Sequence, residues 1–306
     1  MEMRMPPGGL RVAAVQAEPV WFDLAATVDL TIHLIERAAS KEAKLVVFPE
    51  LWLPGYPFHA WFDHDPNTFD IMNRLRSESL TLGHAAHKRI ENAAATGNIH
   101  VVVGFSERCN DEFYIAQMLI GRDGRTLMTR RKLRPTGPES RIFGSGNAEE
   151  DLKVVPTELG NLGALNCNEH RRPLLRHTLM AQGEEIHVAS WPSHALMPNS
   201  IPMSAATSLR FSRQYAIEGG VYVLAPTMVV GAKFWARVPI ADSNRHLLEN
   251  GHGATRIIDP DGQNVCEPMG PADEGLLLAD LESSRLYRTF EADPLNETNN
   301  VPLGHK

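Results

Sequence analysis

Residues 163–170 read Gly-Ala-Leu-Asn-Cys-Asn-Glu-His, an apolar stretch that becomes charged at a single cysteine. The apolar residues up to Leu165 predict the end of a buried strand, and residues 171–180, with Pro173 near their start, predict a helix. A cysteine at such a strand-to-helix turn places its sulfur near backbone N–H groups, which lower a thiol pKa and stabilise an anion. A lone cysteine is more often a small buried hydrophobe, so its role depends on the rest of the chain.

The composition is that of a globular protein with a large core. The 306 residues are 43% hydrophobic and 22% charged, and the net charge of -7 argues against a nucleic-acid or anionic-membrane partner. The first ten residues lack the apolar core of a signal peptide, and no apolar run reaches membrane-spanning length. The sequence therefore predicts a cytoplasmic protein that does not bind a membrane.

The three cysteines, Cys109, Cys167 and Cys266, lie far apart and form no Cys-x-x-Cys pair. This spacing predicts neither a disulfide framework nor a zinc site. The histidines are scattered without metal-ligand spacing, so no metal and no cofactor is expected. In a reducing compartment each thiol would remain free.

Short apolar strands alternate with segments of helical periodicity along the chain. Residues 11–16, 45–48 and 100–106 predict strands, and residues 24–40 and 76–97 predict the helices between them. This alternation is typical of a layered α/β protein. No repeat or linker-like change of composition occurs before about residue 285.

The domain prediction follows from this continuity. Residues 1–285 are expected to form one domain. Residues 286–306 are expected to form a C-terminal tail that is mobile or associated with a dimer, because their polar, Pro- and Asn-rich composition is typical of such tails.

Three chemically distinctive residues each follow the end of an apolar strand. Glu50 comes after residues 46–48, Lys132 follows the strand that contains Leu127, and Cys167 ends the stretch quoted above. Taken singly, Glu50 could be a solvated carboxylate and Lys132 part of a basic surface. Residues at the ends of strands are nevertheless where α/β enzymes build their sites.

Together the three residues fit one chemistry. A thiol needs a base to become a thiolate, and the Glu50 carboxylate could supply it. A developing negative charge needs a fixed cation or N–H donors, which Lys132 and the backbone N–H of Asn168 could supply.

The segments around these residues resemble the motifs of the nitrilase branch of the carbon–nitrogen hydrolase superfamily. The matching segments are VAAVQAEPVW (12–21), FPELWLPGYP (48–57), RKLRPT (131–136), GALNCNEH (163–170) and HVASWP (187–192). The resemblance covers about residues 10–285. The Pro-Gly-Tyr-Pro tail of the second segment favours true nitrilases over amidases of the superfamily.

The resemblance implies a fold and a reaction. The fold is a four-layer αββα sandwich, paired into a homodimer or higher homo-oligomer through the helices after Cys167. The reaction hydrolyses an organic nitrile to a carboxylic acid and ammonia through a thioimidate and a thioester on Cys167. Glu50 is then the base and Lys132 the cation of a Glu-Lys-Cys triad, and Glu139 orients Lys132 or shares the base role. No cofactor is implied.

One departure from the family concerns the pocket wall. Asn168 occupies the position after the nucleophile, where nitrilases usually have Trp. Together with Asn168, the predicted substrate contacts are Tyr56, Trp191, Pro192 and His194, each of which could equally be packing. The alternatives left open are a cyanide- or amide-hydrolysing enzyme of the superfamily, nitrile hydration to the amide as a side activity, and a non-catalytic scaffold. The preferred nitrile, the enantioselectivity, the product ratio and the oligomer size also stay open.

Overall fold

The computed structural model describes residues 5–6, 8–197 and 199–286. Apart from Leu286, the tail predicted over 286–306 lies outside the described residues. None of the helices in these ranges combines the length and the apolar character that a membrane crossing requires.

The strands of the described residues form two sheets. In chain order they are β1 Leu10–Ala17, β2 Leu45–Val47, β3 His100–Cys109, β4 Glu112–Ile120, β5 Thr126–Arg131, β6 Val155–Thr157, β7 Gly160–Asn166, β8 Ile186–Ser190, β9 Tyr222–Ala225, β10 Thr227–Met228, β11 Arg256–Ile258 and β12 Gly275–Leu281. The first sheet has the order β10-β1-β2-β3-β4-β5, with β12 also pairing with β1, and the second has the order β11-β9-β8-β7-β6.

The centre of each sheet is parallel. Strands β1, β2 and β3 run parallel to one another, as do β7, β8 and β9. The hairpin of β4 and β5 extends the first sheet antiparallel to β3. Strands buried on both faces carry nearly continuous apolar sequence, which explains the Val- and Leu-rich runs.

Three apolar clusters define the layers. Alternate side chains of the two sheets meet between them, for example Val102 of β3 and Val188 of β8. The outer face of the first sheet is covered by α1 (Leu24–Ser40) and α3 (Ala85–Gly97). The outer face of the second is covered by α5 (Pro173–Met180) and α6 (Ala205–Gly219). This arrangement is the predicted αββα sandwich.

The remaining helices are short. They are α2 Thr68–Ser77, α4 Ala148–Asp151 and α7 Ala232–Arg237. Helix α1 begins where the sequence predicts, because the Asp23 carboxylate accepts a hydrogen bond from the Ala26 N–H at 2.9 Å.

The helix predicted over residues 76–97 was wrong in its first half. The chain forms α2 and α3 instead, separated by residues 78–84. Between them, Leu80 joins the sheet: its N–H donates to the Ser106 carbonyl at 2.8 Å, and its carbonyl accepts from the Arg108 N–H at 2.9 Å. These tertiary hydrogen bonds replace the helical ones that local periodicity predicted.

Candidate active site

Glu50, Lys132 and Cys167 lie just beyond the ends of strands from both sheets. Glu50 follows β2 and Lys132 follows β5, both of the first sheet, whereas Cys167 follows β7 of the second. Glu50 and Lys132 are fully buried, and Cys167 is half-buried. The predicted juxtaposition of these residues therefore forms across the two sheets.

The loop that carries Glu50 lies directly on β3. The Leu53 N–H donates to the Gly104 carbonyl at 3.2 Å, and a Cβ on Gly104 would lie 2.2 Å from the Pro49 carbonyl oxygen. Only glycine allows the two backbones to approach this closely. The Glu50 N–H in turn donates to the Trp191 carbonyl at 3.3 Å, which ties the loop to the second sheet.

Cys167 occupies a strained backbone position. Its φ of 45° lies in the left-handed region, where residues other than glycine are uncommon. It begins a 3₁₀ turn, Cys167–Arg171, that directly follows β7. Such strain persists only where surrounding contacts hold it, and it is frequent at functional sites.

Glu169 supplies the main contacts that hold the turn. Its Oε2 accepts the Asn166 N–H at 2.8 Å, and its Oε1 accepts the Leu133 N–H at 2.9 Å. Arg130 donates to the same Oε1 at 2.8 Å, and this ion pair is fully buried. The pKa of Glu169 is lowered, because the Arg130 charge and these hydrogen bonds outweigh burial, which opposes ionisation. One ionised carboxylate thus holds both the lysine segment and the cysteine turn.

The front cluster consists of Glu50, Lys132 and Glu139. The Lys132 Nζ donates to Glu50 Oε1 and to Glu139 Oε2, each at 2.8 Å. Glu139 is fixed further by the Tyr56 hydroxyl, which donates to its Oε1 at 2.6 Å, and by the Thr136 N–H, which donates to its Oε2 at 2.6 Å. Glu50 Oε2 has no hydrogen-bond partner among the described residues.

The front cluster contains two buried carboxylates and one ammonium, which can neutralise only one of them. Burial, together with the neighbouring Glu139, therefore raises the pKa of Glu50 despite the attraction of Lys132. Burial disfavours the charged form of Lys132, but the two carboxylates outweigh it and raise its pKa. Lys132 is a fixed cation, and Glu50 is a carboxyl group whose proton is easily gained and lost near neutral pH.

The thiol of Cys167 belongs to the same electrostatic unit. Burial raises its pKa, and the Glu50 carboxylate raises it further, whereas Lys132 and the Asn168 N–H lower it. The resting form is therefore the thiol. An uncharged thiol that interacts electrostatically with a carboxyl group whose pKa lies near neutral is suited to transfer its proton as it attacks an electrophile.

A pocket opens on Cys167 and Glu139. All five predicted substrate contacts line it, namely Tyr56, Asn168, Trp191, Pro192 and His194. Their role in binding remains a prediction. Sequence reasoning missed several other wall residues, including Phe58, Trp61, Arg171 and Phe211, because the spacing of these positions carries no signal.

Four other buried side chains, which we call the rear chain, are linked to the backbone of Cys167: His170, His187, Glu184 and Tyr215. His170 Nδ1 lies 2.8 Å from the Cys167 carbonyl oxygen, and its Nε2 lies 2.9 Å from His187 Nε2. His187 Nδ1 lies 2.7 Å from Glu184 Oε1. The Tyr215 hydroxyl donates to Glu184 Oε2 at 2.5 Å. The prediction that His170 is a hydrogen-bonded structural residue agrees with this placement.

The Cys167 carbonyl, at one end of the rear chain, determines which nitrogen of each histidine carries the hydrogen. Because the Cys167 carbonyl only accepts, His170 Nδ1 carries the hydrogen and the Nε2 of the neutral ring accepts. His187 Nε2 therefore donates, and its Nδ1 accepts a proton held by Glu184. In agreement, burial lowers the pKa of both histidines and raises the pKa of Glu184 to about 8. The rear chain is uncharged.

Comparison with known proteins agrees with this fold. The family described as carbon–nitrogen hydrolase matches residues 11–290. A protein named nitrilase from Pseudomonas syringae pv. syringae (strain B728a) is 42% identical over 287 residues, which cover 93% of this chain and 85% of that protein. An arylacetonitrilase of Aspergillus niger (strain ATCC MYA-4892 / CBS 513.88 / FGSC A1513) is 41% identical over 286 residues, covering 92% and 85%.

Solved structures share the fold at low sequence identity. A carbon–nitrogen hydrolase from Helicobacter pylori G27 superposes with a TM-score of 0.72 at 19% identity, covering 91% of both chains. An amidase of Nesterenkonia AN1 from the nitrilase superfamily gives a TM-score of 0.66 at 19% identity, covering 92% of this chain and 94% of that one. The chain belongs to the carbon–nitrogen hydrolase family and, by its relatives, to the nitrilase branch, as the motifs predicted.

Proposed function

We propose that this protein hydrolyses organic nitriles to carboxylic acids and ammonia. The observation that carries the proposal is the front cluster: a buried ammonium bound to two carboxylates, one of which keeps an unpartnered oxygen, beside a thiol that opens on a pocket. The relatives named nitrilase and arylacetonitrilase support the choice of a nitrile as substrate.

The first half of the proposed reaction forms a covalent adduct. Glu50 accepts the thiol proton of Cys167 while the sulfur bonds to the nitrile carbon. The proton then passes to the nitrile nitrogen, and the product is a thioimidate. Lys132 and the Asn168 N–H stabilise the negative charge that develops.

The second half consumes two water molecules. Glu50 takes a proton from the first water molecule while the water oxygen bonds to the thioimidate carbon. The nitrogen is then protonated and leaves as ammonia. The remaining thioester is attacked by the second water, which releases the carboxylic acid and returns the proton to the Cys167 sulfur. Glu139 holds Lys132 in place throughout, through their 2.8 Å hydrogen bond.

The proposal is tested with a panel of aliphatic, arylaceto- and aromatic nitriles and their matching amides, with ammonia, acid and amide all quantified. The wild-type protein is expected to release ammonia and acid from nitriles, and Cys167→Ala is expected to release neither. Cys109→Ala and Cys266→Ala are matched controls, because neither thiol lines the pocket. Turnover by Cys167→Ala, or faster release of ammonia from amides than from nitriles, would contradict the proposal.

We also propose the cytoplasmic homo-oligomer predicted from the sequence, with α5 and α6 at the interface. Leu174 of α5 is 79% exposed, and Ile201, just before α6, is 76% exposed. An interface on α5 and α6 would remove both apolar side chains from water, which favours association. Light scattering of the wild type and of Leu174→Asp tests this, with a shift towards the monomer expected for the variant.

A further inference from the structure

Arg171 is a charged residue of the pocket wall that the proposed reaction does not use. It ends the 3₁₀ turn that begins at Cys167, and its side chain is half-buried beside Asn168. A side chain that starts four residues after the nucleophile, on the same short turn, is positioned relative to the reacting sulfur by the backbone itself.

The guanidinium of Arg171 is held at the wall without a carboxylate partner. Its carbon lies 5.2 Å from the centre of the Phe211 ring, and its Nη2 donates to the Pro202 carbonyl at 3.2 Å. Arg130 and Arg176 are bound to carboxylates, whereas Arg171 forms no ion pair within residues 5–6, 8–197 and 199–286. These contacts fix the orientation of the Arg171 guanidinium but do not neutralise its charge.

The rest of the wall is largely aromatic and apolar, with Phe58, Trp61 and Trp191 among its members. Its one carboxylate within the described residues, Glu139, is already bound by Lys132, Tyr56 and Thr136. His194 is uncharged, because burial lowers its pKa to about 4. Within the described residues, Arg171 is thus the one fully charged cation on the wall, and the Asn168 amide is its polar neighbour.

We propose that the pocket selects nitriles that carry an anionic group, such as a carboxylate, at the end remote from the nitrile, and that Arg171 binds this group. The inference rests on the proposed function and names its substrate class. Because the Arg171 guanidinium is held against Phe211 and Pro202 rather than in the front cluster, the proposed substrate carries its anion beyond an alkyl or aryl spacer. The aromatic wall residues suit such a spacer.

The hydrogen-bonding capacity of Arg171 fits this role. A guanidinium has five N–H donors, and the contact with Pro202 occupies one of them. The remaining donors can bind a carboxylate in the two-pronged geometry that arginine favours. A hydrogen bond to a charged group in a partly buried site corresponds to an effect on the order of tenfold or more in kcat/KM.

The experiment compares nitriles that differ only in charge at the remote end. para-Carboxyphenylacetonitrile is matched with para-nitrophenylacetonitrile, which has the same shape without the charge, and a cyanoalkanoate is matched with the alkyl nitrile of equal length. The wild type is expected to favour the charged member of a pair by about tenfold or more in kcat/KM, chiefly through KM. The preference is expected to shrink as salt is added.

Three variants separate binding from folding. Arg171→Met should lose the preference, with a larger fall in kcat/KM for the charged than for the neutral member of each pair, and Arg171→Lys should retain part of it. Arg172→Met is the matched control, since this exposed neighbour carries the same charge and does not line the pocket. Equal losses for charged and neutral nitriles in Arg171→Met, or no preference in the wild type, would overturn the inference alone. Failure to hydrolyse any nitrile would overturn the proposed function instead.

Discussion

Two buried clusters that both interact with Cys167 use similar residue types differently. The front cluster keeps a charged ammonium between two carboxylates and leaves Glu50 Oε2 unpartnered. In the rear chain each contact matches a donor with an acceptor, and Glu184 is protonated. Burial raises the pKa of a glutamate in both places, so burial alone does not make a base. The difference lies in whether an oxygen remains available to the reacting group.

The largest expected effect comes from replacing Glu50, whose Oε2 is the available oxygen. Glu50→Gln keeps an acceptor for Lys132 but removes the base, so kcat for nitrile hydrolysis should fall on the order of a hundredfold or more. Thermal unfolding should show a folded protein, because the amide has the same shape as the carboxyl group. A variant with near-normal kcat would mean that Glu50 is not the base, and the distinction between the two clusters would fail.

The rear chain should respond to the shape of residue 184 rather than to its acidity. Glu184→Ala leaves the Tyr215 hydroxyl and His187 Nδ1 without partners in a buried site, which should cost about 1–3 kcal/mol of folding free energy. Glu184→Gln can donate to His187 and accept from Tyr215, so its stability and kcat at neutral pH should stay close to those of the wild type. Denaturant unfolding and kinetics of both variants test this. Equal damage from Gln and Ala would show that Glu184 is ionised.

The pH dependence of stability also tests whether Glu184 is protonated in the folded protein. The pKa of Glu184 is about 8 in the folded protein and near 4.5 when unfolded, so its contribution to stability is complete below pH 4.5 and is lost as the pH rises through 8. Glu184→Gln lacks this titration. The melting temperature of the variant relative to wild type should therefore increase between pH 5 and pH 9. The buried histidines titrate in both proteins, so their effect cancels, and a constant difference would contradict the assignment.

The smallest expected effect concerns the contact between Tyr56 and Glu139. Tyr56→Phe removes a 2.6 Å hydrogen bond to the carboxylate that holds Lys132. Because a hydrogen bond to a charged group is worth about 1.5–3 kcal/mol, kcat should fall roughly tenfold, without a change in fold. Steady-state kinetics measure this, and Phe58→Leu is a control for changed packing in the pocket. An unaltered kcat would show that Glu139 needs no support from Tyr56.

The sequence predicts the front cluster better than the rear chain. Glu50, Lys132 and Cys167 are conspicuous because each follows an apolar strand, and strands of a layered sheet end at a common edge. Glu184 and Tyr215 are 31 residues apart, on different elements, and their contact depends on how α6 packs against the second sheet. A sequence signal does exist at Gly163, where a Cβ would lie 1.9 Å from Glu184 Oε1. The need for glycine at position 163 can be explained only once the fold is known.

The predicted fold class was confirmed, whereas local detail depended on tertiary contacts. The α/β alternation follows from hydrophobic periodicity, which each element carries in its own sequence. The break between α2 and α3 does not, because Leu80 leaves the helix to bond with Ser106 and Arg108, which lie far along the chain. Arg171 was missed for a similar reason: its place on the pocket wall depends on Pro202 and Phe211.

The position of Glu169 has a mechanical consequence. Lys132 follows a strand of one sheet and Cys167 a strand of the other, so any sliding of the sheets would separate them. A single carboxylate that binds both Leu133 and Asn166 acts as a cross-tie at that point. The Glu50 N–H, which donates to the Trp191 carbonyl, provides a second tie between the sheets at the same edge. The spacing of sulfur and ammonium is therefore fixed by polar contacts at the sheet edge as well as by apolar packing between the sheets.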